Sequence, residues 1–141
     1  MIVPVTKENE SSWAKLCVAL WPDLTVEAVL KMNHEGMFKN EFLYIEDGEA
    51  VAFLSLALRY DYVEGTDSSP VGYIEGIYVA PEFRRKGIAE KLIDHAKKWS
   101  IKYDCTELAS DCVHDNTSGQ AFHTSTGFTE ANRIVCYTMK L

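Results

Sequence analysis

Residues 72–89, Gly-Tyr-Ile-Glu-Gly-Ile-Tyr-Val-Ala-Pro-Glu-Phe-Arg-Arg-Lys-Gly-Ile-Ala, constrain the fold of this chain more than any other stretch. A mostly apolar run from Val71 to Val79 predicts an interior strand. Ala80-Pro81 punctuates its end, and a basic loop, Arg84-Arg85-Lys86, then passes through Gly87 directly into a helix. The first backbone N–H groups of a helix have no acceptor within it, so beside Arg and Lys they form a seat for phosphate. Gly87 lets the backbone approach the anion, and Ala89 leaves that approach unobstructed. Six residues alone would also suit a solvated basic turn. Strand, Ala-Pro, loop and amphipathic helix in this order favour the anion seat.

At 141 residues the chain is expected to form one domain, residues 1–141, large enough to bury a core. Its formal charge of −7 argues against nucleic acid or an anionic membrane as partner, and its field steers cations inward. Cys17, Cys105, Cys112 and Cys136 contain no Cys-x-x-Cys pair and read as reduced thiols of a cytoplasmic protein. Cys112, His114 and His123 do not have the spacing of a zinc site, so no metal is expected. The N-terminus lacks a basic region followed by an apolar run, which argues against secretion. The most apolar stretch, Ala50 to Leu58, is too short to cross a membrane.

The rest of the chain reads in order. Ile2 to Val5 predicts a short edge strand. Trp13, Leu16, Cys17 and Leu20 share one helical face between Glu8 and Leu20, and Trp21-Pro22 ends that helix. A second helix starts after Thr25 as N-cap, with Val26, Val29 and Leu30 inward. Phe42–Glu46 and Ala50–Arg59 flank Asp47-Gly48, a two-residue hairpin signal. After a polar loop over 61–70 and the Val71–Val79 strand, Ile88, Leu92, Ala96 and Trp99 stripe a helix from Gly87 to Lys102. Glu107 to Asp111 predicts a strand, Asn116 to Thr126 a helix, and 129–134 and 135–140 two closing strands. This is an α+β order, a mixed central sheet flanked by helices.

The pattern Arg84-x-x-Gly87-x-Ala89 after Ala80-Pro81 resembles the pyrophosphate loop of the GNAT N-acetyltransferases, and the element order is that of the GNAT fold. The resemblance covers nearly the whole chain. It implies acetyl-CoA as co-substrate, with Arg84, Arg85, Lys86, Gly87, Ile88 and Ala89 on the pyrophosphate. Ile77, Tyr78 and Val79 would pair with the pantetheine arm, and a backbone N–H there would polarise the thioester carbonyl. Asn116 either contacts pantetheine or only caps its helix. Glu75, a carboxylate in an apolar strand, faces a cleft or forms a structural ion pair. Strand alternation puts Glu75, Ile77 and Val79 on one face. Asp111 would end the next parallel strand at the same opening, so either acid, or a water between them, could take the amine's proton. His123 stands where many GNAT enzymes carry a Tyr as general acid, and it is equally readable as a packing histidine.

The loop Arg59-Tyr60-Asp61-Tyr62-Val63-Glu64-Gly65-Thr66-Asp67-Ser68-Ser69-Pro70 followed by Glu75-Gly76-Ile77, with Leu20-Trp21-Pro22, Ala109-Ser110-Asp111, Asn116-Thr117, His123 and Gly127-Phe128, resembles the type I aminoglycoside 6'-N-acetyltransferases. That resemblance implies direct attack by the 6'-amine of an aminoglycoside in a ternary complex, antibiotic resistance as the outcome, and a homodimer. Trp21, Tyr62, Glu75, Asp111 and Asn132 would line the antibiotic site, some relatives having an acid where Asn132 stands. Carboxylates and aromatic faces suit a polycationic sugar. The alternatives are an acetyltransferase for a polyamine or a protein N-terminus, or a non-catalytic acetyl-CoA-binding module.

Overall fold

The computed structural model describes all 141 residues. Strands β1 (Ile2–Pro4), β2 (Asn40–Glu46), β3 (Glu49–Arg59), β4 (Val71–Val79) and β5 (Leu108–Ser110) form one sheet in that order. The first four run antiparallel to their neighbours, and β5 runs parallel to β4, so the sheet is mixed. The helices are α1 (Glu10–Leu20), α2 (Val26–His34), α3 (Ile88–Lys102) and α4 (Thr117–Ser125).

Local chemistry sets these elements. Thr25 Oγ1 accepts the backbone N–H of Ala28 at 3.1 Å and caps α2, as its position predicts. Asp47 and Gly48 both take positive φ, 51° and 80°, the turn that matches the twist of paired strands. On α3, Ile88, Leu92, Ile93, Ala96 and Trp99 are all buried, against Leu54, Leu56 and Ile74 of the sheet. On the opposite face Trp13, Ala14, Cys17 and Val29 of α1 and α2 meet Leu43 and Phe53. Each large apolar side chain so buried contributes about 1.5–3 kcal/mol. Helices therefore cover both faces of the sheet.

Two expectations need correction. Residues 129–141 form no strand and are exposed throughout. The segment has no turn residue between Ile134 and Val135 to fold it back as a hairpin, and it pairs with none of the five strands. Nor do Glu75, Ile77 and Val79 share a face. The register between β3 and β4 pairs Ser55 with Gly76 but Leu56 with Ile74, leaving Glu75 as the extra residue of a β-bulge. The bulge resets the alternation, so Ile77 and Val79 pack into the α3 core. Glu75 turns the other way, toward Arg59.

Candidate active site

The loop after β4 is a row of free donors. Ala80, Pro81, Glu82 and Phe83 make a short turn, after which Arg85 takes φ 60° and Gly87 φ 79°. From Arg85 through Glu90 no backbone N–H finds an acceptor within the chain. A Cβ built on Gly87 would meet nothing within 4 Å, so the space in front of these groups is open. Arg84 is turned back, its Nε donating to the Val79 carbonyl at 2.8 Å. Consecutive N–H groups, the positive end of α3 and the Arg85 and Lys86 side chains suit a diphosphate.

β5 pairs only with Gly72, Tyr73 and Ile74, so β4 from Glu75 to Val79 has no strand on that side. Ile77, Tyr78 and Val79 thus offer a backbone edge that begins at the bulge and ends at the basic loop. An extended amide chain could pair there as an added strand.

At the head of that edge four side chains interlock. Arg59, at the end of β3, donates from Nη2 to Glu75 Oε1 and Oε2 at 2.9 and 3.0 Å, and from Nε to Oε1 at 3.1 Å. Its guanidinium carbon lies 3.4 Å from the centre of the Tyr73 ring. The Tyr73 hydroxyl donates to Asp111, the residue after β5. Burial, and then the Asp111 carboxylate, push the Tyr73 phenol up from its ordinary range, so it stays protonated as a donor. Glu75 and Asp111 are therefore linked through Arg59 and Tyr73, and Tyr73 was not among the residues expected at the site. Trp21 packs over the same bulge: a Cβ on Gly76 would lie 2.7 Å from its ring, so only glycine lets the indole approach.

The remaining expected site residues are placed less centrally. Asn116 caps α4, its Oδ1 accepting from the Gly119 N–H at 3.0 Å, which leaves its amide Nδ2 free. His123 is fixed by packing. Its Nδ1 donates to the Gly119 carbonyl at 2.6 Å, its Nε2 is 2.8 Å from Ser110 Oγ, and Phe122 and Phe128 lie edge-on to its ring. Tyr62 stands 77% exposed on the loop before β4. Asn132 donates to Glu64, a residue of that loop, at 2.8 Å. A surface depression lined by Lys39, His95, Lys98 and Trp99 lies elsewhere and contains neither Glu75 nor Asp111.

Beneath the site lies Glu41, which sequence reading also passed over. It is buried on β2 and accepts from Ser55 Oγ at 2.6 Å and Trp13 Nε1 at 3.2 Å. Burial pushes its carboxyl up to about 7 against the help of those donors, and the charge of Glu75 adds to the rise.

The profile of the acetyltransferase (GNAT) family matches residues 6–128. The chain belongs to the GNAT acetyltransferase family. Among curated GNAT relatives, the aminoglycoside N(6')-acetyltransferase type 1 of Serratia marcescens is 40% identical, with 100% of this chain and 99% of that one covered. The same enzyme of Acinetobacter haemolyticus is 37% identical over 99% of this chain and 98% of its own length. The apo crystal structure of aminoglycoside antibiotic 6'-N-acetyltransferase AAC(6')-IG from Acinetobacter haemolyticus superposes with a TM-score of 0.94 at 36% identity, covering 100% of this chain and 99% of the other. AAC(6')-Iy in complex with the bisubstrate analog CoA-S-monomethyl-acetylneamine superposes at 0.92 with 35% identity, covering 100% and 98%. The GNAT fold expected from the sequence is thereby established.

Proposed function

We propose that this chain transfers the acetyl group of acetyl-CoA to the 6'-amine of aminoglycosides by direct attack in a ternary complex. The observation that carries the reading is one continuous path. The free N–H row from Arg85 to Glu90 leads along the open β4 edge to Glu75 and Asp111. The full-length similarity to aminoglycoside N(6')-acetyltransferases supports the substrate class.

Acetyl-CoA supplies an activated acyl carbon and a good leaving thiolate. Arg85 to Ala89 hold its diphosphate, Arg84 bracing the loop against the end of β4, and Asn116 offers Nδ2 to the pantetheine arm. The edge of Ile77, Tyr78 and Val79 aligns that arm and aims a backbone N–H at the carbonyl oxygen where negative charge develops. Glu75 and Asp111 hold the incoming ammonium, and one of them, directly or through water, takes the proton it must lose before nitrogen can attack. Trp21 and the exposed Tyr62 supply aromatic faces for the sugar. Tyr62 and Asn132 lie on the outer loop and its neighbouring arm, where they reach the outer rings of a large substrate. An acetylated amine has lost its positive charge and the contacts that charge makes with the drug's ribosomal target, which gives resistance.

The acting unit in this reading is residues 1–141 as one GNAT domain, in the cytoplasm, as a homodimer. Ile134, Val135, Tyr137 and Met139 extend into water from the terminal arm while the outer edge of β5 carries no strand. Such a pairing of exposed apolar segment and free sheet edge is what a second copy would cover. Sedimentation should give a dimer for the full chain and a monomer for one ending at Asn132, and a full-length monomer at micromolar concentration with full activity refutes the assembly. The function itself is tested by coenzyme A release. Release with kanamycin well above that with spermidine is expected, release with spermidine alone marks a polyamine enzyme, and release with neither marks a binding module.

A further inference from the structure

The acceptor site already holds a cation. Aminoglycoside recognition needs a carboxylate for an ammonium and an aromatic face beside it. Both groups are present at the bulge, and both are occupied by Arg59, through the fork on Glu75 and the stack on Tyr73. We propose that Arg59 is a resident stand-in for the substrate ammonium, which binds by displacing the guanidinium from Glu75.

Three features suit Arg59 to leave while the rest stays. Its side chain is 41% exposed and that of Glu75 37%, so water reaches the pair and holds it only weakly. Tyr73, by contrast, is buried and tied through its hydroxyl to Asp111, so the ring stays in place when the guanidinium departs. Glu75 projects from a bulge whose backbone is fixed by the β3 ladder and by Trp21 on Gly76, so the carboxylate keeps its position too. Arg59 stands at the last residue of β3, before the exposed Tyr60 and Asp61, and has solvent to swing into.

The inference rests on the aminoglycoside reading, and it makes Arg59 a competitor. With Arg59 docked, the Glu75–Asp111 pair carries one net negative charge, and with it displaced, two. Each binding event therefore gives up one ion pair to form another, which lowers affinity but spares Glu75 an unpaired state between turnovers. A residue that merely supports the fold would lower activity when removed. A competitor does the opposite to substrate affinity.

The experiment is steady-state kinetics of parent, Arg59→Gln and Arg59→Lys with kanamycin at saturating acetyl-CoA, over a range of salt. An exposed ion pair is worth up to ~1 kcal/mol, so Arg59→Gln should lower the kanamycin KM about fivefold. The KM for acetyl-CoA should not change, and Arg59→Lys, which keeps charge without the fork, should fall between. Rising salt should weaken kanamycin binding more steeply in Arg59→Gln than in the parent, where salt also loosens the competing pair. A kanamycin KM that is unchanged or raised in Arg59→Gln overturns the role of Arg59 alone. If that variant does not fold, a crystal structure of the parent with kanamycin decides instead: an Arg59–Glu75 bond still intact refutes displacement. Failure of the parent to bind or acetylate kanamycin overturns both this inference and the proposed function.

Discussion

Gly87→Val separates the cofactor seat from the fold around it. Gly87 has φ 79°, and a Cβ added there meets nothing within 4 Å. The valine's cost to folding is the left-handed backbone, about 1–2 kcal/mol for an L-residue, or roughly 3–8 °C in Tm for a protein of this size. Its cost to binding is larger. The isopropyl group fills the space faced by the free N–H groups from Arg85 to Glu90, where a diphosphate would dock. A hydrogen bond to a charged group contributes about 1.5–3 kcal/mol, so losing even one raises the KM for acetyl-CoA at least tenfold. Thiol release at saturating acceptor, with Tm measured alongside, checks both numbers. Gly87→Ala shares most of the strain but little of the obstruction and should show a smaller KM change. A folded Gly87→Val protein with the parental KM for acetyl-CoA would refute the assignment of this loop.

Asp111→Asn preserves shape and removes charge, and should lower kcat/KM for aminoglycosides at least roughly tenfold, about 1.4 kcal/mol, as should Glu75→Gln. The larger kcat loss marks the carboxylate nearer the reacting amine, and if both variants stay within twofold of the parent, the acidic acceptor site is misassigned. Activity should rise with pH as the substrate ammonium gives up its proton, and a rate flat from neutral to alkaline pH would oppose attack by a free amine. Glu41 predicts the pH dependence of stability: its folded carboxyl is held up near 7 against 4.5 in the unfolded chain, so the native state binds the extra proton between those values. Its contribution is therefore complete below about pH 4.5 and lost as pH rises through 7, of order 3 kcal/mol, and Glu41→Gln should flatten that part of the denaturation profile.

Where local chemistry decides, the chain was readable. The bounds of β4, the Asp47-Gly48 turn, the Thr25 cap and the α3 stripe all follow from residues within a few positions of one another. What escaped notice depends on register between distant segments. The bulge at Glu75 exists only relative to β3, and it alone turns Glu75 away from Ile77 and Val79 toward Arg59, sixteen positions earlier. Tyr73 could have been suspected, since it stands two residues before Glu75 on the same side of the strand, but its bond to Asp111 needs the short parallel pairing with β5. Burial of Glu41 likewise depends on Trp13 and Ser55 arriving from α1 and β3. The terminal arm misled because an alternating apolar pattern reports a strand without reporting whose edge it joins. Of the resemblance-based expectations, the fold followed from the motif and element order, and for Asn116 and His123 the bonds present are those of the alternatives the sequence left open, a helix cap and a packed imidazole.

In the proposed reaction an acetyl group moves to one amine of an aminoglycoside, the 6'-amine, at a site built from Glu75 and Asp111 beside the Arg84–Ala89 loop. Two aminoglycosides identical except for an amine or a hydroxyl at the 6' position test it most directly, each incubated with the parent protein and acetyl-CoA. Coenzyme A release and gain of one acetyl group, located on that nitrogen by NMR, are expected with the 6'-amine compound, and neither with the 6'-hydroxyl compound. Equal release from both, or acetylation at another amine, would contradict it.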